Sequence, residues 1–462
     1  MEGAEVSFLS RELPGHLCDF ADSLGFRVIR LQARNSDGVP GEAEFDEMPG
    51  SVGGAQVDWL VIDHYGIDAA WEHRARAYCK HILVIDDLAD RRHECDVLLD
   101  QNFSLDPAAR YKGLLDPSCE VLLGPRYALL RPEFAAAHAA ARQRDGKVRR
   151  IFVFFGGSDC GGETLKAIEA LAALDDDNLS INIVIGRANP HAAAIRRASA
   201  RLAGATCQVG SNDMAALMAH ADLAIGAGGS TTWERCCVGL PSVMVAIADN
   251  QIPGSRDLHQ AGYALFLGES AEVSASSLTE AIRGLLTDPA RVCALSQASS
   301  MLVDGYGAKR VANTLWAADI ALRRARDEDC IDVFSWRDHP ETRRYSNDAN
   351  EISLEGHRLW YARKLSDPSC EFLIGELAGA PIGVLRYDVQ GREAMVSIYL
   401  VPGQQGRGFG RALLRKGVQW LSTVRPEIRR LSARVLKGNQ RSARAFEAAG
   451  FRFDGERYYR AI

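Results

Sequence analysis

The chain has 462 residues, 47% hydrophobic and 25% charged, an ordinary make-up for a globular protein of two to four domains. A net charge of −6 argues against bulk nucleic-acid binding, though it leaves room for a local basic pocket. No apolar run is long enough to span a membrane, and the opening Met1-Glu2-Gly3-Ala4-Glu5 lacks the basic and apolar regions of a signal peptide.

The 11 cysteines are scattered with no CxxC pair, which fits reduced thiols in a cytoplasm. No His/Cys cluster has zinc spacing, so no metal is expected. Nothing in the sequence sets an oligomeric state.

From Glu5 onward, short apolar runs alternate with amphipathic ones. Glu5 to Leu9 reads as a strand, Gly15 to Leu24 as a helix and Phe26 to Leu31 as a strand. Residues 35–55 are polar and rich in Gly and Pro, hence a loop. Asp58 to Ile62 is a buried strand ending in Asp63-His64-Tyr65, and Ile82 to Ile85 is another, ending in Asp86-Asp87. This βαβα order predicts an α/β fold with a parallel sheet. Ligands of such sheets gather beyond the C-terminal strand ends, where these side chains fall. Arg131 to Arg144 reads as an Ala-rich helix, and Gln143 to Lys147 as a hinge.

A second alternating block follows. Arg150 to Phe155 is a strand running into Gly156-Gly157-Ser158-Asp159. Ile181 to Ile185 is a strand, and Asp222 to Ile225 is another, running into Gly226-Ala227-Gly228-Gly229-Ser230-Thr231-Thr232. A helix from Trp233, a strand from Pro241 to Ile247 and Ala248-Asp249-Asn250-Gln251 come next. Glycines after a strand with a Ser/Thr-rich helix start suit a diphosphate. Glu234, one turn into that helix, is placed to accept hydrogen bonds from two ribose hydroxyls. Helices are expected over residues 276–325, with Arg323 to Asp329 as a solvated charged junction.

The last third is organised around Gln405-Gly406-Arg407-Gly408-Phe409-Gly410. An apolar, β-prone run, Met395 to Val401, precedes it. An amphipathic run with Leu414, Val418 and Leu421 follows. Strand, glycine loop and helix start make a turn suited to a pyrophosphate. The spacing is neither G-x-G-x-x-G nor a Walker loop. Downstream, Asn439, Ser442, Phe446, Gly450 and Phe451 form a helix with an N-cap residue and a closing glycine.

This pair of motifs resembles the GCN5-related N-acetyltransferase (GNAT) family, over roughly the last third of the chain. The resemblance implies a mixed, mostly antiparallel sheet and acetyl-CoA as co-substrate, held by Gln405 to Arg411 and by Asn439, Ser442 and Phe446. It implies an oxyanion donor among the backbone N–H groups near Leu400 and Val401. It also implies a leaving-group acid, commonly a Tyr, at the position held here by Phe446. Tyr399, Tyr458 and Tyr459 are the substitutes, and Glu393 and His357 the candidate bases. Trp336-Arg337, Arg343-Arg344, His357 and Trp360 would lie over the acceptor.

The middle block resembles the nucleotide half of GT-B glycosyltransferases of the MurG-like kind. Together with Ile62 to Tyr65, Asp86-Asp87 and Gly124-Pro125-Arg126-Tyr127, residues 4–322 look like the UDP-sugar hydrolases of pseudaminic acid biosynthesis. Those enzymes cleave UDP-2,4-diacetamido-2,4,6-trideoxy-β-L-altropyranose without a metal. The resemblance implies a UDP-sugar site at Gly157, Gly228, Gly229, Ser230, Thr231, Glu234, Asn250 and Gln251. His64, flanked by Asp63 and Tyr65, is the candidate for acid–base work.

The family opens with a strand and a G-x-G-H-x-x-R turn carrying its catalytic His, and this chain shows no such turn. Its first strand matches the family's second. The expectation is a start codon further upstream; the alternative is a hydrolytically dead, UDP-sugar-binding module. The domains expected are a Rossmann-like half over 1–145, a UDP-binding Rossmann-like half over 146–325, and a GNAT domain over 328–462.

Overall fold

A computed structural model describes residues 4–12, 16–31, 56–346 and 350–462. Gly15 and the loop expected over 35–55 lie outside the described residues. The chain divides into two units, Met1–Ala308 and Lys309–Ile462. Among the described residues, no helix is long and apolar enough to cross a membrane.

Among the described residues, the first unit holds three parallel sheets. Strands β1 (Ser7–Arg11) and β2 (Arg27–Leu31) pair with each other alone among the described residues. Strands β3 (Val57–Asp63), β4 (Cys79–Ile85), β5 (Val97–Asp100) and β6 (Glu120–Leu123) form a sheet in that order. The third sheet has β7 (Arg150–Phe154), β8 (Ser180–Ile185), β9 (Ala205–Val209), β10 (Leu223–Ala227), β11 (Ser242–Ala246) and β12 (Leu265–Glu269). Its spatial order is β12-β11-β10-β7-β8-β9. Counted from β7, this is the doubly wound order of dinucleotide-binding folds, with the switch point between β7 and β10.

Both faces of this last sheet are covered. Ile151 and Val153 of β7 enter one apolar cluster while Phe152 enters the other, the period-two pattern of a strand. The helix expected over 131–144 stops at Ala139. Arg144, expected in a hinge, is buried and donates to the carbonyls of Ala221, Val238 and Gly239. That segment is therefore fastened to the second half by satisfied carbonyls.

The second unit has one sheet, ordered β13-β14-β15-β16-β17-β19-β18. Its strands are β13 (Ala321–Arg324), β14 (Cys370–Leu377), β15 (Ala380–Gln390), β16 (Glu393–Leu400), β17 (Arg430–Ala433), β18 (Arg452–Phe453) and β19 (Tyr458–Ala461). Only the β16–β17 pair is parallel. Phe372, Ile374, Val384 and Tyr399 face the helices Cys330–Asp338 and Leu354–Ser366. Leu373 and Leu385 face the helix Phe409–Val424 on the other side. Gly417 lets that helix settle on the sheet, since a Cβ there would lie 2.0 Å from Leu385 Cδ2.

The charged stretch read as a solvated junction is instead edge strand and first turn. Arg323 pairs with Asp329 and Glu376, and Arg324 with buried Glu371. Helix ends at Ala318, so residues 321–324 are strand, paired antiparallel with β14, where helix was expected.

Candidate functional site

The first candidate site lies beyond the strand ends of the first unit. Gly226, inside β10, and Gly228, just past its end, run close to neighbouring atoms. A Cβ on Gly226 would lie 2.3 Å from the Phe154 carbonyl oxygen, and one on Gly228 2.2 Å from Ser255 Oγ. Arg235 is wholly buried and donates to Ala227 O at 2.7 Å and Thr232 Oγ1 at 2.8 Å, so it clamps the loop from beneath. Burial holds its guanidinium below the usual range, at about 10. Ser230 is exposed and Thr231 half-buried at the start of the helix Thr231–Cys237. Ser255 Oγ is buried without a partner.

Gln251 Oε1 accepts from the Ile247 N–H, and its Nε2 lies 3.4 Å from a Cβ placed on Gly229. Desolvation pushes Glu234 up to about 7, against the pull of Arg131, 3.8 Å away. Gly157 is exposed at the end of β7, the other side of the switch point. Asp159 faces away from ligand duty: its carboxylate caps the helix Glu163–Ala172 through the N–H groups of Glu163 and Thr164.

Opposite this loop, residues from both halves of the unit meet. The Asn250 amide donates to the Tyr65 hydroxyl at 3.2 Å and to Asp87 Oδ2 at 3.3 Å. Asn102, just past β5, donates to the same oxygen at 3.2 Å. Desolvation, then the Asp87 carboxylate, raises both Asp63 and Tyr65 above their ordinary values. His64 does not join this group through its ring: it is exposed, and its Nδ1 accepts from the Gly66 N–H at 3.0 Å. It closes its own turn.

The second candidate site is in the second unit. Gly406 and Gly408 have φ of +78° and +79°, and Gly408 caps the 16-residue helix Phe409–Val424. Nothing lies within 4 Å of a Cβ placed on Gly406, so this side of the loop is open to a ligand. Gln405 and Gly410 are half-buried, Arg407 lies over the Phe409 ring, and Arg411 donates to Thr314 Oγ1.

Of the two amides proposed as oxyanion donors, Val401 is already committed to the Ile382 carbonyl. N–H directions alternate along a strand, so the Leu400 N–H points toward β17, where the β16–β17 ladder has ended at Val396 and Ala433. The Leu400 N–H therefore lies where the two strands splay.

Asn439 caps its helix by accepting from the Ser442 N–H. Phe446 is core, edge-on to Phe451 and stacked on Tyr458. The Tyr458 hydroxyl is taken by Glu447, and Tyr459 lies under Arg430. On the opposite face of the sheet, the buried polar atoms without a hydrogen bond among the described residues include Arg337 Nη1, His357 Nε2 and the Tyr399 hydroxyl. Burial lowers His357 and raises Tyr399. Glu393 does not belong to this group. It is exposed at the other end of β16, paired with Arg430.

Residues 319–452 match the acetyltransferase (GNAT) domain, and residues 151–313 match the glycosyltransferase family 28 C-terminal domain. The chain carries both domains in series. The spore coat polysaccharide biosynthesis protein SpsG of Bacillus subtilis is 31% identical over 189 residues, 41% of this chain and 56% of that protein. The UDP-2,4-diacetamido-2,4,6-trideoxy-beta-L-altropyranose hydrolase of Campylobacter jejuni is 28% identical over 168 residues, 36% of this chain and 56% of the hydrolase. The chain thus spans little more than half the length of either. The uncharacterized protein MJ1062 of Methanocaldococcus jannaschii is 22% identical over 445 residues, 93% of this chain and 86% of that protein. That alignment runs through both domains.

In the glycosyltransferase 28-type domain, sequence reasoning passed over Ser255. In the half before it, Asn102 was missed because β5 is only four residues long. A polar residue directly after a short buried run was the available signal. In the acetyltransferase domain, Arg337 was placed over the acceptor by its motif, but only the fold aligns it with His357 and Tyr399.

Proposed function

We propose that the chain is a bifunctional sugar-nucleotide enzyme. Its acetyltransferase domain transfers an acetyl group from acetyl-CoA to the 4-amine of a UDP-4-amino-4,6-dideoxy sugar. Its first unit then hydrolyses the UDP-2,4-diacetamido sugar to free sugar and UDP, two consecutive steps of nonulosonic (pseudaminic) acid biosynthesis. The observation that carries this reading is the presence, on one chain, of a switch-point crevice with a glycine loop and Glu234 and of an open glycine loop beside a splayed strand.

Acetyl-CoA would supply the activated acetyl thioester. Gln405 to Arg411 would hold its diphosphate on the loop and helix start, with Asn439 and Ser442 bordering the next segment and Phe446 packed in the core behind them. The Leu400 N–H faces the place where negative charge grows on the acetyl oxygen. His357, lowered by burial and hydrogen-bonded to the Cys330 backbone, is neutral near pH 7 and takes the amine proton at Nε2. Arg337 and Arg386, on the same face as Tyr399, complement the diphosphate of a UDP-sugar acceptor. With Phe446 unable to donate and Tyr458 engaged, the leaving thiolate takes its proton from solvent.

In the first unit, Glu234 accepts from ribose hydroxyls and the loop after β10 receives the UDP diphosphate, with Gly157 and Gln251 bordering it. His64, tied into its turn, supports a second reading: an acetyltransferase whose first unit binds UDP-sugar without cleaving it. The test supplies acetyl-CoA and the UDP-4-amino sugar and follows products by mass. UDP with free diacetamido sugar supports two activities. Accumulated acetylated UDP-sugar supports the second reading. No acetylation overturns both and turns the search to peptide amines.

A further inference from the structure

The strand-end cluster of the first unit contains a carboxylate that is held but not used up. Asp87 follows β4, and its Oδ2 receives two amide donors, from Asn102 at 3.2 Å and from Asn250 at 3.3 Å. Those donors come from different halves of the unit, so the carboxylate is pinned across the cleft. Its Oδ1 is buried and has no partner. An unmet buried acceptor is costly, so a donor from a ligand or water belongs there. The Tyr65 hydroxyl accepts from the same Asn250 amide, which turns its own proton away from Asn250.

The neighbouring candidates Asp86, His64 and Asp100 are otherwise engaged, and Asp63 stands exposed at the end of β3. Asp86 is taken by Arg91, the Tyr111 hydroxyl and the Ala89 N–H. His64 holds the Gly66 N–H, and Asp63 is exposed. Asp100 caps the Asn102 N–H and pairs with Arg110 and Tyr111.

We infer that Asp87 is the general base of the hydrolytic reaction, binding the attacking water at Oδ1 with Tyr65 and Asn250 fixing its orientation. This rests on the UDP-sugar hydrolase reading above. In the step, a water proton passes to Asp87 Oδ1 while the water oxygen bonds to the anomeric carbon. The bond from that carbon to the β-phosphate oxygen breaks, and its electron pair leaves with UDP. Free sugar and UDP depart, and Asp87 returns the proton to solvent.

The test uses the full chain, the UDP-2,4-diacetamido sugar as substrate and UDP as a binding probe in calorimetry. Asp87→Asn is expected to lower kcat by about 100-fold or more, the scale of lost general-base catalysis, with KM and the UDP Kd kept within about threefold. A kcat within about threefold of wild type overturns the inference. Asp87→Glu keeps a carboxylate one methylene too far out and covers the case in which Asp87→Asn does not fold. It is expected to lose about tenfold in kcat with UDP binding intact, and an unchanged kcat overturns the inference. A wild-type chain that binds UDP but leaves the sugar uncleaved overturns the role of Asp87 and leaves the binding site standing. A wild-type chain that binds no UDP removes the reading beneath it.

Discussion

The two glycine loops follow strands in both units and look alike in sequence, yet they need glycine for opposite reasons. At the end of β10 the backbone is ordinary, and glycine is required by crowding: a Cβ on Gly226 would strike a carbonyl, and one on Gly228 a hydroxyl. After β16 the space at Gly406 is open, and glycine is required by φ near +80° at Gly406 and Gly408. The first loop is wedged at a topological switch point and stiffened by Arg235. The second is free-standing and shaped by its own torsions.

The largest effect that breaks this contrast is expected at Gly226. Gly226→Ala sets a methyl against the Phe154 carbonyl and Arg235 Nη1, at 2.3 and 2.4 Å, inside a fully paired parallel sheet. Neither can move without breaking the ladder or the clamp, so the loss is about 3 kcal/mol in urea unfolding of the first unit. A loss below about 0.5 kcal/mol, the scale of an ordinary surface change, shows that the loop is not wedged.

Glu234 comes next. Burial raises its folded pKa to about 7 from an ordinary 4.5, so the folded chain binds more protons than the unfolded one between those values. Its contribution to stability therefore falls as pH rises from about 4.5 to 7, by up to about 3 kcal/mol in total. Glu234→Gln removes that slope, which urea midpoints at pH 5 and pH 8 will read. UDP, by meeting the carboxylate with ribose hydroxyls, binds wild type more tightly as pH rises through 7, and the variant shows no such trend.

Gly408→Ala and Gly228→Ala sharpen the contrast directly. Gly408→Ala places an L-residue at φ +79°, at a cost of about 1–2 kcal/mol, read as a roughly tenfold higher KM for acetyl-CoA. No neighbouring substitution restores it, because the strain is in the backbone. Gly228→Ala clashes only with Ser255 Oγ, a buried hydroxyl without a partner. Adding Ser255→Ala removes the obstacle, and the double-mutant cycle is expected to show about 1 kcal/mol of recovered coupling in UDP affinity.

What could be read from sequence follows from how local each feature is. Strands β7, β10 and β11 are legible as buried apolar runs, and the caps at Asn439 and Gly450 as residue types. The switch point is not legible, because nothing in Arg150 to Phe154 says that β10 lies beside it. The Tyr65–Asp87–Asn250 group spans 185 residues between its outer members, so only the packing of two sheets creates it. Arg323 and Arg324 look like linker because charge alone carries no direction. In the fold they sit on adjacent positions of an edge strand, facing opposite ways toward carboxylates that lie far along the chain.

The smallest effect is expected at Glu393, and it separates the two ends of β16. Glu393 and Leu400 are seven residue steps apart, about 23 Å along an extended strand, too far to touch an amine reacting at the splay. Its carboxylate is half-exposed and 3.5 Å from Arg430, itself stacked on Tyr459. An exposed pair of this kind contributes about 0–1 kcal/mol. Glu393→Gln should therefore shift stability by no more than about 0.5 kcal/mol and leave the kcat of acetyl transfer unchanged. His357→Gln, at the buried face beside Tyr399, should lower kcat by about 100-fold at neutral pH. If the order of these two variants is reversed, the acceptor lies at the far end of the strand, and the assignment of Leu400 as oxyanion donor falls with it.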